Sequence, residues 1–553
     1  MDDSGPAVPS PRRRIIWACG IGTLVVVLAA GGFFAWRAAT DQLGPATVAA
    51  QRAAEALVDH TIGDGAFGAT VGPAEVDDLT ATVRGMGVLR PVITVQNVQL
   101  DEQNSRGTAR LQADWTIHEG KPHWVQDAYL QLVRGSDGWS AVWSRDLIAS
   151  GLQPGDRLRA VRLAPVRGEI TGDDDERLVW NADAKRIGLD KTQVAPDQQP
   201  AAARALAKAV GIDPEDFAAT VARYGPKAYV EAAVVRAVGS DEWGILAKAR
   251  AVPGTLIIDA VRPLAVSSSF ARALLGSVGQ ATGEIIKASS GTIREGDLVG
   301  LGGLQKTRNA TLMGLTGFVV QAYPDGHPEA PRELFRVPAA NGEALRITVS
   351  AGLQKRAESL IGTGERRAVV AVRPSDAALL VLASSPGTTT ATSRHIYPEA
   401  FAPVDVVAGL RADGLPAAVA ALGLTGDAGI DVPVFLSATD GGTLRLSAFS
   451  LAAATASVGA GLSIRPQLFV DEQPPAIADG LRPDEVEEIR RQMRASVVTG
   501  ELHALADLPA GPVLAAGDGR LWAVALYGDL AVAVYDSDGR SAALLEKFLR
   551  SAG

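Results

Sequence analysis

Residues 366–385, RRAVVAVRPSDAALLVLASS, decide how this chain folds. Two apolar runs flank Pro374-Ser375-Asp376, where the fixed proline φ and short polar side chains favour a tight turn. A hairpin of that kind implies a broad sheet. Downstream, LSAFSLAAATASVGAGL (446–462) has a helical pattern, and DEVEEIRRQMRASVVTG (484–500) looks like a solvent-facing helix. GRLWAVALYGDLAVAVYD (519–536) reads as two strands around Tyr527-Gly528-Asp529, and SAALLEKFLRS (541–551) closes as a helix. A hairpin first, then helices, then a hairpin and helix describe an α/β domain over 346–553.

Upstream, residues 151–345 mix alanine-rich helical pieces at 200–222, strands near 228–236 and 255–258, and glycine-rich loops. LQPGDRLRAVRLAPVRGEI (152–170) marks the boundary, with Pro154-Gly155-Asp156 as a turn. The acidic run Asp173-Asp174-Asp175-Glu176 lacks the spaced oxygens of a calcium loop and reads as a solvated turn. Over 43–150, Pro45 and Gly63 bracket a helix of about four turns. VITVQNVQL, TARLQADWTIH, WVQDAYLQLVR and WSAVWS then alternate as strands between turns at Asn104–Gly107 and Gly135–Gly138. A helix followed by a curved antiparallel sheet fits this segment. Trp115, Trp124, Trp139 and Trp143 are expected to pack its core rather than form a sugar-stacking face.

Ile15 to Trp36 is a run of 22 residues without charge, long enough as a helix to span a hydrocarbon core. Arg12, Arg13 and Arg14 precede it, so the expected topology is a cytoplasmic tail over 1–14, a single membrane span over 15–36 and an extracytoplasmic remainder. Cys19 lies inside the apolar run and reads as a helix residue. A net charge of −9 and the absence of any longer basic run leave no footprint for nucleic acid. A lone cysteine and the lack of His-x-x-x-His or His-Glu-x-x-His spacing leave no expected metal site, and no cofactor is expected.

Six ordered blocks resemble the class B penicillin-binding proteins of high-GC Gram-positive bacteria. WSAVWSRDLIASGLQPGDRL (139–158) with PVRGEI (165–170) places Arg167 and Gly168 on that family's Arg-Gly-x-Ile. FARALLGSVGQATGEI (270–285) and GLGGLQKTRNATLMGLTG (300–317) keep Gly303, Leu304, Gln305, Leu312, Gly314 and Gly317 in step. LRITVSAGLQKRAES (345–359) and AVVAVRPSDAALLVLASSP (368–386) resemble the start of the family's transpeptidase domain. The resemblance implies an α+β multidomain chain. Its parts are the membrane anchor, a cone-shaped nuclear-transport-factor-two-like domain (43–150), a mixed α/β dimerisation or pedestal domain (151–345) and a β-lactamase-type transpeptidase-like domain (346–553). Departures include Gly172-Asp173 in place of Asp-Arg, and Arg308 in place of a tyrosine.

The family's chemistry does not carry over. Its nucleophile stands in Ser-x-x-Lys at a helix start, where the lysine one turn on takes the hydroxyl proton. In YPEAFAPVDVV (397–407) the nucleophile position is Phe401 and the base position Val404, and no lysine of the chain has a serine three residues before it. The Ser-x-Asn interval shrinks to AGLRADGLPAAVAALGL (408–424). The Lys-Thr-Gly strand is PVLAAGDGRLW (512–522), so Ala515, Ala516 and Gly517 occupy the third motif. No catalytic residue is expected. His395 reads as a loop histidine and Asp405 as a helix-surface aspartate.

The leading expectation is a catalytically silent scaffold or regulator of peptidoglycan synthesis. It would work at the cytoplasmic membrane with active synthases or divisome and elongasome proteins, with a homodimer as a further possibility. The alternatives are an active D,D-transpeptidase with displaced motifs and a noncovalent sensor of muropeptides or β-lactams.

Overall fold

The computed structural model describes residues 42–552, apart from 69–70, 88, 117–121, 238–239, 290–291, 363–365, 387, 394–395, 397, 399–400, 441–442, 475, 501 and 510–512. The expected anchor Ile15–Trp36, Cys19 and His395 lie outside the described residues. Among the described residues no helix is long and apolar enough to cross a membrane. By contacts the chain forms two compact units. One holds the chain up to Leu163 together with Thr316–Pro338, the other Ala164–Leu315 with Ala339–Gly553.

In the first unit, helix α1 (Leu43–Asp59) carries Pro45 in its first turn, where an amide N–H has no helical partner to lose. It ends at His60, in the left-handed region at φ 59°, short of Gly63. Strands β1 (Val92–Leu100), β2 (Arg106–Trp115), β3 (Trp124–Gly135) and β4 (Gly138–Val142) form an antiparallel meander. Alternation puts Leu111, Leu130 and Leu132 inward against Ala46, Ala50 and Ala53 of α1. A second sheet is built from distant chain. β5 (Asp156–Leu163) pairs with Gly317–Pro324, which pairs in turn with Arg332–Val337. Leu158, Phe318 and Val320 join the first unit's core, so β5 lies by contacts with the first unit although it follows residue 151.

The second unit opens with a pedestal sheet. β6 (Ile170–Thr171) pairs with the long β7 (Arg177–Asp190), which is flanked by β8 (Tyr229–Arg236) and β9 (Thr255–Ala265). α2 (Gln199–Val210) and α3 (Pro214–Arg223) cover one face through Leu206, Ala207, Phe217 and Val221. Gly211 ends α2 at φ 78°, and the Asp213 carboxylate accepts the N–H groups of Glu215 and Asp216 to start α3.

The hairpin that opened the sequence reading is present as β10 (Arg367–Arg373) and β11 (Ala378–Ser384). With β12 (Leu514–Gly517), β13 (Trp522–Tyr527) and β14 (Leu530–Asp536) it makes an antiparallel sheet in the order β11-β10-β14-β13-β12. One face packs against α4 (Ala351–Ile361) and α8 (Ser541–Ala552), burying Val369, Val532, Leu545 and Phe548. The other receives α5 (Ala402–Leu410) and α6 (Ala448–Ala460), the latter buried from Ala448 to Val458. α7 (Pro483–Thr499) is amphipathic rather than wholly solvent-facing, since Val486, Ile489, Met493 and Val497 are buried.

Candidate functional site

The helix that would carry a nucleophile exists, and its start is a packed core. Phe401 is extended (φ −129°) at the N-cap of α5, with Pro403 in the first turn. Its N–H donates to the Asp405 carboxylate at 2.6 Å, a backbone need met by a side chain one turn ahead. Asp405 is exposed on the helix surface. Partial desolvation pushes its carboxyl up and the Phe401 N–H opposes that shift. The Phe401 ring is 1% exposed and meets the Trp522 ring edge to face, 5.7 Å between centroids at 89°. Val404, 2% exposed, lies in the same apolar cluster, which also takes in Ala516, Trp522 and Val524.

β12 is paired on β13 with Ala515 opposite Ala525, Ala516 opposite Val524 and Gly517 opposite Ala523. Alternation sends Ala516 to the Phe401 side and Ala515 to the cluster on the opposite face. Gly517 has φ 149°, and a Cβ there would stand 2.6 Å from the Trp522 carbonyl oxygen. The structure therefore sets Phe401 against Trp522, with Val404 and Ala516 in the same apolar cluster, and leaves Ala515 behind the sheet. None of these side chains has a lone pair or a titrating proton, so what they do is pack.

The interval 408–424 forms a short helix, Gly414–Ala421, and is tied to α7 by charge. Arg411 donates Nε and Nη2 to the fully buried Glu485 carboxylate at 2.8 and 2.9 Å, and Nη2 also reaches the Gly480 carbonyl at 2.7 Å. Arg482 adds bonds of 3.0 and 2.7 Å to the same carboxylate. Burial opposes the Glu485 charge, but the two guanidiniums outweigh it and hold the carboxyl at about 2. The sequence reading passed over this clamp. An arginine in a largely apolar stretch was the available signal, because a cation there needs a partner.

Arg167, matched to the family's opening, is buried and bonds the Gln305 side chain (2.7 Å) and carbonyl (2.9 Å) and the Asn309 side chain (3.0 Å). Burial without a carboxylate lowers its guanidinium to about 10. Arg308 forms a bidentate pair with Glu472 (2.6 and 2.8 Å), a further pair with Asp431, and lies 4.2 Å over the Phe469 ring. The acidic run is partnered rather than merely solvated. Asp173 bonds Arg373, Asp175 pairs with Arg346, and Glu176 accepts the Ala351 N–H at the start of α4.

Among the described residues no hydrogen bond joins a lysine to a serine hydroxyl; Lys191, for example, gives its amine to the carbonyls of Val221 and Tyr224. No group of three or more His, Cys, Asp or Glu side chains there could hold a metal. Trp115 and Trp124 are buried and stacked at 5.8 Å, and Trp143 meets Phe67 edge to face. Trp139 is part-buried against the same core, so the tryptophans pack the first unit.

Residues 162–347 match the model of the Penicillin-binding Protein dimerisation domain. The match spans 186 of the 553 residues. The fold extends the likeness. A chain of the solved complex between Penicillin-Binding Protein (PBP2) and MreC from Helicobacter pylori superposes with a TM-score of 0.51 at 15% identity, over 71% of this chain and 98% of that one. No curated protein matches the sequence. The chain is thus similar to the Penicillin-binding Protein dimerisation domain over residues 162–347 and shares the fold of a chain of the PBP2–MreC complex over most of its length.

Proposed function

We propose that this protein is a class B penicillin-binding-protein relative of the high-GC Gram-positive type that has given up acyl transfer. It serves peptidoglycan synthesis by contact, as a scaffold or regulator of active synthases. The observation that carries the reading is the Phe401–Trp522 contact: the nucleophile position is filled by a buried ring, and Val404 and Ala516 are buried in the same apolar cluster. Acylation needs a hydroxyl, a base and an oxyanion or carboxylate contact together, and this corner supplies none of them. The Arg411–Glu485 clamp supports the same reading, since it braces the segment where the family places its polar second motif.

Ile15–Trp36 would anchor the chain in the cytoplasmic membrane with residues after Arg37 outside. Partners would be wall synthases or divisome and elongasome proteins, and the dimerisation domain offers a route to a homodimer. The deciding experiment is labelling of membranes with a fluorescent penicillin. No covalent band at the mass of this protein is expected. A band that disappears when one serine is changed to alanine would overturn the proposal.

A further inference from the structure

Among the described residues, one long edge of the pedestal sheet carries no further strand. β9 pairs only with β7. Asp190 N–H bonds the Gly254 carbonyl and Val266 N–H bonds the Leu178 carbonyl, so even-numbered residues of β9 turn their backbone groups toward β7. Odd-numbered residues turn theirs outward. Thr255 N–H is taken by Val252, Pro263 has none, and the N–H groups of Ile257, Asp259 and Val261 find no acceptor among the described residues; of the outward carbonyls, that of Val261 accepts from Arg262 and that of Ala265 from Arg236. The strand mixes apolar and charged side chains, with Leu256 40% and Val261 57% exposed and Asp259 and Arg262 among them. The outer edge of β11, by contrast, is closed: the Leu382 N–H and carbonyl are both bonded by the Gln354 side chain, and the Leu380 carbonyl accepts the Ser350 N–H. An open, β-branched edge of this length is a template for a further strand.

We propose that β9 pairs antiparallel with β9 of a second copy of this chain, about a two-fold axis through Ala260. Ala260 is the midpoint of Thr255–Ala265, so this register overlaps the strand from end to end, with Pro263 opposite Ile257 leaving that carbonyl without a donor. A two-fold normal to the sheet keeps even residues on one face and odd residues on the other, as a continuous sheet requires. It sets Leu256 against Leu264, Ile258 against Arg262 and Asp259 against Val261, with no like charges opposed. Centring on Asp259 instead would face two carboxylates. On the odd face a hollow of about 480 Å³ opens beside the axis, lined by Asp183, Lys185, Asp259 and Val261 with Ala184 and Ala260. The exposed Val261 of the copy stands opposite Asp259, at the mouth of this hollow.

The inference rests on the homodimer reading above and is independent of the loss of acyl transfer. The test uses the full chain in detergent. Sedimentation equilibrium is expected to show a dimer. Val261→Asp faces Asp259 of the other copy twice over and weakens the dimer about tenfold. Val261→Pro removes an outward N–H that β7 does not use, and acts likewise with an unchanged melting temperature. In a Cys19→Ser background, Ala260→Cys falls at a non-hydrogen-bonded pair, where Cα atoms lie about 4.5 Å apart, and cross-links on mild oxidation. Ser359→Cys, exposed on α4, does not. A dimer that persists in both Val261 variants with no Ala260→Cys cross-link overturns the β9 site and leaves the homodimer reading standing. A monomer at every concentration overturns both.

Discussion

Arg373, the last residue of β10, reaches back to Asp173 with hydrogen bonds of 3.0 and 3.3 Å while also holding Asp376 in its own hairpin turn. Two carboxylates raise the guanidinium well above its ordinary range. The contact explains a departure noted in the sequence. The turn before β7 is Gly172-Asp173 because a Cβ at 172 would run into the Val349 carbonyl, while an acid at 173 faces the hairpin arginine. Both side chains are partly exposed, so solvent screening keeps the pair at about 1 kcal/mol. Asp173→Asn and Arg373→Met should each lower the melting temperature, and the double variant should lose less than the sum. Additive losses in that cycle would show the pair to be uncoupled.

Glu485 sets a pH dependence of defined sign. Its folded carboxyl sits at about 2 against an ordinary 4.5. The stability it contributes is therefore complete above about pH 5 and fades as pH falls from 4.5 toward 2. A shift of that size corresponds to about 3 kcal/mol. Glu485→Gln should be less stable than the parent by about that amount at pH 7, and the gap should close on titration to pH 2. Thermal melts across that range measure it, and a gap that stays constant would refute the assignment.

Arg308 shows how a family position can change its residue and gain a contact. Between two short helices it spans Glu472, Asp431 and the Phe469 ring, all from the transpeptidase-like part of the same unit. Arg308→Ala should cost about 1–2 kcal/mol, the sum of partly exposed ion pairs and a cation–π contact. Arg308→Lys should recover less than half, because an ammonium cannot make the bidentate pair. Denaturant midpoints of the three proteins decide this, and equal stability of Lys and Arg would defeat the bidentate argument.

The legible parts of this molecule are those whose signal is local. The Pro374-Ser375-Asp376 hairpin, the Tyr527-Gly528-Asp529 hairpin and the closing helix are each fixed by apolar runs and a turn within about twenty residues. The pairing of β5 with Gly317–Pro324 was not legible. GFVVQAYP announces a strand, yet nothing in it names a partner some 150 positions upstream. β9 runs to Ala265, well past the 258 its apolar pattern suggested, because Asp259 and Arg262 sit on a solvated edge where polar side chains cost nothing. At the candidate site, Phe401 and Val404 were readable only through the family's register. That the Phe401 ring packs against Trp522 required the fold, since 121 positions separate ring from ring.

That packing makes the nucleophile position sensitive in an unusual way. In a solvated catalytic cleft, changing the residue at a nucleophile position removes activity and leaves the fold largely unaffected. Phe401 instead is buried against Trp522 within the apolar cluster that also holds Val404 and Ala516. Phe401→Ala should cost about 3–5 kcal/mol through lost transfer energy and the cavity left behind. Phe401→Ser with Val404→Lys, which rebuilds the family's motif in name, should do worse, because it buries a hydroxyl and an amine beside an indole with no partner. It should gain no penicillin labelling, since Ala515 and Ala516 still supply no anion contact. Urea denaturation of the parent, Phe401→Ala and the double variant measures the first claim. A Phe401→Ala protein as stable as the parent would mean that the corner is an open cleft after all.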